Sequence, residues 1–148
     1  MANVQTLSDY NVTDQRATVV SKKKLYSDLD LSLTLHPIFH DITPLTDIDA
    51  VTGSVRNLVL TNFDERPFQP YLGSNLRGLL FEPADKITII CLRDSIHGIL
   101  AKYEPRIDSV AVNIADDSDR NRYHVTLSFR VIIPNQTVDM TLYLLRIR

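Results

Sequence analysis

Glu65, Glu82 and Glu104 are the three glutamates of this 148-residue chain and its first candidates for acid–base work. A glycosidase needs two carboxyls across a cleft, roughly 5–9.5 Å apart, with one of them held protonated. The three glutamates qualify by residue type alone. Each stands beside an arginine or a proline-containing turn, a setting that favours ion pairing over a protonated general acid. Glu104 lies in Tyr103-Glu104-Pro105-Arg106-Ile107. Pro105 lacks an N–H and biases Glu104 away from the α region, so a preceding helix should stop here. A carboxylate at a helix C-terminus faces the negative end of the macrodipole and calls for a partner. By residue chemistry, a local ion pair with Arg106 or a C-terminal cap would supply one.

Other chemical motifs fail on inspection. His36 and His40 have the i, i+4 spacing of a helical zinc pair, but Pro37 stands between them, and solvated histidines are the better reading. Gly73 and Gly78 are spaced as in a phosphate-binding loop, yet Leu79 occupies the position that needs lysine. Ser74 is in no Gly-x-Ser-x-Gly elbow. Asp117-x-Asp119-x-Asn121 begins like a calcium loop, but Arg122 replaces its glycine and Ser128 its bidentate glutamate. Cys91 is the lone cysteine, which excludes an internal disulfide and a multi-cysteine metal site. No cofactor, metal or catalytic set is expected.

Composition narrows the class further. A net charge of −2 argues against nucleic acid as the main partner. No apolar run is long enough to span a bilayer, and the N-terminus lacks a signal-peptide core, so neither a membrane nor export is expected. The length suits one domain.

The elements that must position these residues follow from periodicity. Residues 1–24, ending in Lys22-Lys23-Lys24, carry little periodicity and read as an N-terminal arm; residues 25–148 read as one domain. Residues 25–50 hold five aspartates and no Lys or Arg. Leu29, Leu31, Leu33 and Leu35 alternate there with polar residues, suggesting an extended segment or short strand laid on the body. Thr46 and Asp49 resemble a capping box for a helix to about Thr61, with Ile48, Val51, Val55, Leu58 and Val59 on its apolar face. Phe68 and Tyr71 read as large apolar anchors beside Pro67 and Pro70. Ser74 or Asn75 can cap a short helix that turns Leu76, Leu79 and Leu80 inward.

The main helix is expected from Ala84 to Tyr103, with Asp85 in its first turn and Lys102 in its last. Its stripe is Ile89, Leu92, Ile96, Ile99, Leu100 and Tyr103; Ile87, Ile90 and Cys91 widen it, predicting burial on two sides and Cys91 as a small core hydrophobe. Three strands follow. Val110, Val112 and Ile114 alternate, then a charged loop over residues 116–122. Next come Tyr123, Val125, Leu127, Phe129, Val131 and Ile133, and after Pro134-Asn135-Gln136 the row Val138, Met140, Leu142 and Leu144. The predicted fold is α+β: a three-stranded antiparallel meander packed against two or three helices. The last strand is anomalous, because its other face carries Thr141, Tyr143, Leu145 and Ile147. That face is too apolar for a solvated edge and suggests either a covering element or strand addition by a partner.

Several of these stretches together resemble one family. They are Tyr26-Ser27-Asp28-Leu29-Asp30, Glu65-Arg66-Pro67-Phe68, Gly73-Ser74, Leu76-Arg77, Leu80-Phe81-Glu82-Pro83 and Tyr103-Glu104-Pro105-Arg106-Ile107. The family is the small baseplate wedge protein, or sheath initiator, of contractile-tailed phages, related to a baseplate component of type VI secretion systems. Asn62-Phe63-Asp64 departs from it where a glycine often stands, and residues 1–24 are extra.

The resemblance implies a structural, non-enzymatic role in the tail baseplate of a virion, assembled in the host cytoplasm. It implies multiple copies in a sixfold assembly, with other wedge proteins and the tail sheath protein as partners and the tube or hub as a further contact. Glu104, Pro105 and Arg106 would dock onto the wedge core. Glu65, Arg66, Pro67, Phe68 and Glu82 would form the motif loop. The edge at Thr141, Tyr143, Leu145 and Ile147 would template the sheath. Two other readings share the resemblance: a peptidoglycan-cleaving glycosidase, since family members have been labelled lysozyme-like, and an anti-adaptor-like regulator of the same fold.

Overall fold

The computed structural model of the chain describes residues 25–38 and 40–146. The expected arm at residues 1–24 and Ile147 lie outside the described residues. In chain order the elements are β1 (Ser27–Leu29), β2 (Pro44–Thr46), α1 (Ile48–Leu60), α2 (Leu76–Leu79), α3 (Lys86–Tyr103), β3 (Ile107–Asp117), β4 (Arg122–Val131) and β5 (Gln136–Leu145). A 3₁₀ turn, Ser118–Arg120, joins β3 to β4. The strands β3-β4-β5 form the expected antiparallel meander, and β1 pairs antiparallel with β2 as a separate sheet. Helix α3 packs on the meander, α1 and α2 pack on α3, and the small sheet sits against α1.

The core forms where a helical stripe meets the central strand. Along β4, Tyr123, Val125, Leu127, Phe129 and Val131 are all fully buried against Leu92, Ile96, Ile99 and Leu100 of α3 and Val51, Val55, Leu58 and Val59 of α1. Two-residue alternation puts every second β4 side chain on this face. Ile133 leaves the series and is exposed, because the ladder ends at Val131 and the chain turns through a cis Ile133–Pro134 bond.

Helix α3 is capped by Asp85, whose carboxylate accepts from Thr88 N at 2.8 Å, and the helix ends at Tyr103 as Pro105 requires. Its expected two-sided burial does not occur. Ile87 is 70% exposed, and Ile90 and Cys91 are exposed as well. The sheet, α1 and α2 bury the Leu92–Ile96–Ile99–Leu100 stripe, so the flank carrying Ile87, Ile90 and Cys91 faces solvent. Cys91 is therefore not a core hydrophobe.

Local chemistry corrects three further readings. The Thr46–Asp49 capping box does not form: Thr46 pairs with Ser27 in the small sheet, and Asp47 is the N-cap. Asp47 makes no capping bond, and its Oδ1 accepts instead from Leu25 N at 2.9 Å and Tyr26 N at 3.4 Å. The leucine row 29–35 is only briefly a strand. Asp30 accepts from Ser32 N at 2.9 Å and turns the chain, so Leu29, Leu31, Leu33 and Leu35 all stay exposed and none of them joins the core. Phe68, 97% exposed, and Tyr71, also exposed, do not act as anchors among the described residues.

The turn before α2 uses the backbone freedom of Gly73, whose φ is 139°; a Cβ there would come within 2.6 Å of Asn62 O. This close approach seats Ser74, whose hydroxyl donates to Val59 O at 2.9 Å, while Asn75 is the N-cap of α2 without a side-chain capping bond.

Candidate protein-interaction surfaces

The end of α3 brings Glu104 into the body. Its side chain is almost fully buried and accepts from Arg106 Nε at 2.6 Å, Arg106 Nη2 at 2.7 Å and Ser54 Oγ at 2.7 Å. Burial by itself raises the Glu104 carboxyl. The hydrogen bonds from Arg106 and Ser54, with the Arg106 charge, outweigh it and hold the group below the usual carboxylate range. The same hydrogen bond raises Arg106. Glu104 is thus an ionised, forked acceptor within the chain, unsuited to act as a protonated general acid at neutral pH. Arg106 also lies over the Tyr26 ring at 5.5 Å, while Pro105 is exposed.

Beside this pair runs an open groove between β1, α1 and the motif loop. Asp28, Leu29 and Leu31 form one wall, Ser54, Asn57, Leu58 and Thr61 the floor, and Glu65, Arg66, Leu72 and Tyr103 the other wall. Glu65 is fixed by accepting from Asn62 N at 2.8 Å, and Tyr103 ties the loop to α3 by donating from its hydroxyl to Tyr71 O at 3.0 Å. The fold therefore brings Glu65 and Arg66 into one groove with Tyr103 and with Ser54, the hydroxyl partner of Glu104, whereas Glu82, exposed after α2, does not line this groove. Ser54, fifty residues from Glu104, had no periodic signal; only the fold makes them partners. Among the described residues no cluster of His, Cys, Asp or Glu is placed to hold a metal.

The second surface is β5. It pairs with β4 through all ten of its residues and borders no other strand among those described. Leu142 and Leu144 are buried on the core face, and Val138 and Met140 are half-buried. On the other face Thr141 and Leu145 are exposed and Tyr143 is 55% exposed, so neither helix nor loop of the described chain covers it.

A family model described as baseplate wedge protein gp25 matches residues 46–136, from the end of β2 to the start of β5, and so spans the stretches from Glu65 to Ile107 but not Tyr26-Ser27-Asp28-Leu29-Asp30. The chain belongs to the gp25 family of baseplate wedge proteins. A relative named baseplate wedge protein gp25, from Enterobacteria phage T4, is 31% identical over 109 residues, 74% of this chain and 82% of that protein. Solved structures share the fold. A Geobacter sulfurreducens protein described as a candidate tail lysozyme superposes with a TM-score of 0.62 at 19% identity, over 66% of this chain and 89% of that one. A chain of the post-contraction pyocin R2 baseplate gives 0.53 at 22%, over 72% and 98%, and one of the anti-feeding prophage baseplate gives 0.54 at 14%, over 83% and 87%. As a gp25 family member the chain is a structural component of a contractile-tail baseplate, alongside other baseplate components.

Proposed function

We propose that this gp25 family protein docks on the helical core of the wedge through its Glu-Pro-Arg loop and starts sheath polymerisation by strand addition at β5. The open edge of β5 carries the second half of this reading. It is a ten-residue, bulge-free strand whose outer face carries Thr137, Asp139 and Thr141 and turns apolar at Tyr143 and Leu145, and an open edge of this kind pairs readily with another chain. The opposite edge strand, β3, is broken by a bulge between Asp108 and Ala111, with Ser109 at φ 54°, and is less suited to pairing.

For docking, the internal Glu104–Arg106 pair acts as a rigid support. It presents Pro105 and the outer edge of Arg106 next to a groove whose walls include Leu29, Leu31, Glu65 and Arg66. A helix of a wedge partner would lie in that groove. In this reading residues 25–148 act as one body, repeated in a sixfold ring, with sheath and wedge proteins on different faces and the tube or hub as a further contact. In this reading the protein works by binding, and Glu104, held ionised by Arg106, is a support for the loop and not a general acid.

The test substitutes proline at Thr141 in the phage and images the tails by electron microscopy. Proline removes a ladder donor but is tolerated best at an edge, and circular dichroism checks that the variant folds. Complete baseplates without sheath are expected. Normal sheath on a folded variant would sink strand addition at β5.

A further inference from the structure

The last strand faces a register problem. Leu142, Tyr143, Leu144 and Leu145 put apolar residues on both of its faces. A slip of one residue turns every side chain over, and hydrophobic patterning resists this only where the two faces differ strongly. Along β4 they do, with Tyr123, Val125 and Leu127 buried and His124, Thr126 and Ser128 on the other side. Along the C-terminal half of β5 they do not.

Two arginines supply the missing difference, one on each face. On the outer face, Arg122 Nε donates to Asp117 at 2.8 Å, and its guanidinium lies 4.4 Å from the centre of the Tyr143 ring. His124 flanks the same ring at 5.1 Å. On the core face, Arg146, whose side chain is 8% exposed, pairs with Asp116 and lies 4.6 Å over the Tyr123 ring. The backbone closes the arrangement: Arg146 N donates to Asn121 O at 3.0 Å, and Asn121 Nδ2 donates to Arg146 O at 3.3 Å. Asp116 and Asp117 are consecutive strand residues, so their side chains leave on opposite faces, and the arginines follow them. A one-residue slip would carry Tyr143 away from Arg122. It would also pull Arg146 off Asp116, leaving a buried guanidinium without its carboxylate, which is strongly unfavourable.

We propose that Arg122 and Arg146 are positioning residues that lock β5 in register, with Thr126 opposite Thr141 and Ser128 opposite Asp139. The lock fixes which N–H and C=O groups of the edge an incoming strand meets. Only this last step rests on the strand-addition reading; the lock itself does not.

The test traps the register covalently in the full chain carrying Cys91→Ser. One pair of cysteines, Ser128→Cys with Asp139→Cys, reports the observed register; a second, Ser128→Cys with Met140→Cys, reports the slipped one. Each is oxidised with diamide, with and without Arg122→Gln and Arg146→Gln together. The ratio of slipped to native cross-link is expected to rise by about fivefold or more in the double variant. A merely structural role would lower the melting temperature and leave the ratio unchanged, and an unchanged ratio in a folded variant overturns the lock. Should the double variant not fold, Arg122→Gln alone, on the solvated face, is expected to raise the ratio about twofold, and no change there overturns the lock equally. Tails carrying the double variant separate the two ideas. A raised ratio with normal sheath keeps the lock and sinks strand addition, whereas a raised ratio with missing sheath supports both.

Discussion

Strands β4 and β5 are neighbours of equal length, ten residues each, and both alternate, yet they meet opposite fates. Every inward residue of β4 is fully buried and its outward residues are polar. On β5 the inward residues are buried only toward the C-terminal end, and the outward ones include Tyr143 and Leu145. The difference is position in the sheet. β4 has a strand on each side and α3 across one face, so its apolar row is sealed; β5 has one neighbour and keeps an open ladder. A central strand stores stability, and an edge strand of this composition is available for binding.

Damage to each strand should make a different property fail. Phe129→Ala on β4 should cost about 3–5 kcal/mol, through lost burial and a cavity among the α3 residues, as measured by thermal or urea denaturation. A loss under about 1 kcal/mol would mean that β4 is not the centre of the core.

The contrast also extends to the glutamates, one buried and paired and the others exposed. Glu104→Gln should cost about 2 kcal/mol, below the full penalty for breaking a buried pair because Arg106 retains some exposure to water. The same change should alter the acid response. The Glu104 carboxyl is lowered in the folded state, so its contribution is complete above the ordinary value of 4.5 and is lost as the pH falls through the folded value. Melting temperature in the wild type should therefore fall more steeply below pH 4.5 than in Glu104→Gln. Equal slopes would show that the pair does not form.

The smallest expected effect on stability is at the edge. Tyr143→Ser should change unfolding by about 1 kcal/mol or less, since the ring is half solvated and stacks on the exposed face against Arg122 and His124. It should nevertheless reduce sheath assembly, counted as sheathed tails in electron micrographs. A large loss of stability with unaffected sheath would reverse the roles assigned to the two strands.

The comparison also marks where sequence reading succeeds. Alternation from Tyr123 to Ile133, the stop at Pro105 and the helical stripes on α1 and α3 are local periodicities, and each element formed near where its period placed it, although β4 ends at Val131 and leaves Ile133 out. The widened stripe on α3 shows the limit: Ile87, Ile90 and Cys91 have helical spacing like Leu92 and Ile96, but spacing does not say how many faces a helix will have covered. Likewise, the alternation of Leu29 to Leu35 could not show that the Asp30 turn would leave those leucines outward.

Sequence alone determined the α+β class, the meander, the family likeness and the apolar excess on the last strand, because these depend on residue order over a few turns. Tertiary structure decided that Glu104 meets Ser54, that Glu65 and Arg66 share a groove with Asp28 while Glu82 does not, and that Arg122 and Arg146 grip opposite faces of one sheet end. Those pairings join residues far apart in the chain, and a buried charge or an open edge exists only once the neighbouring elements have packed.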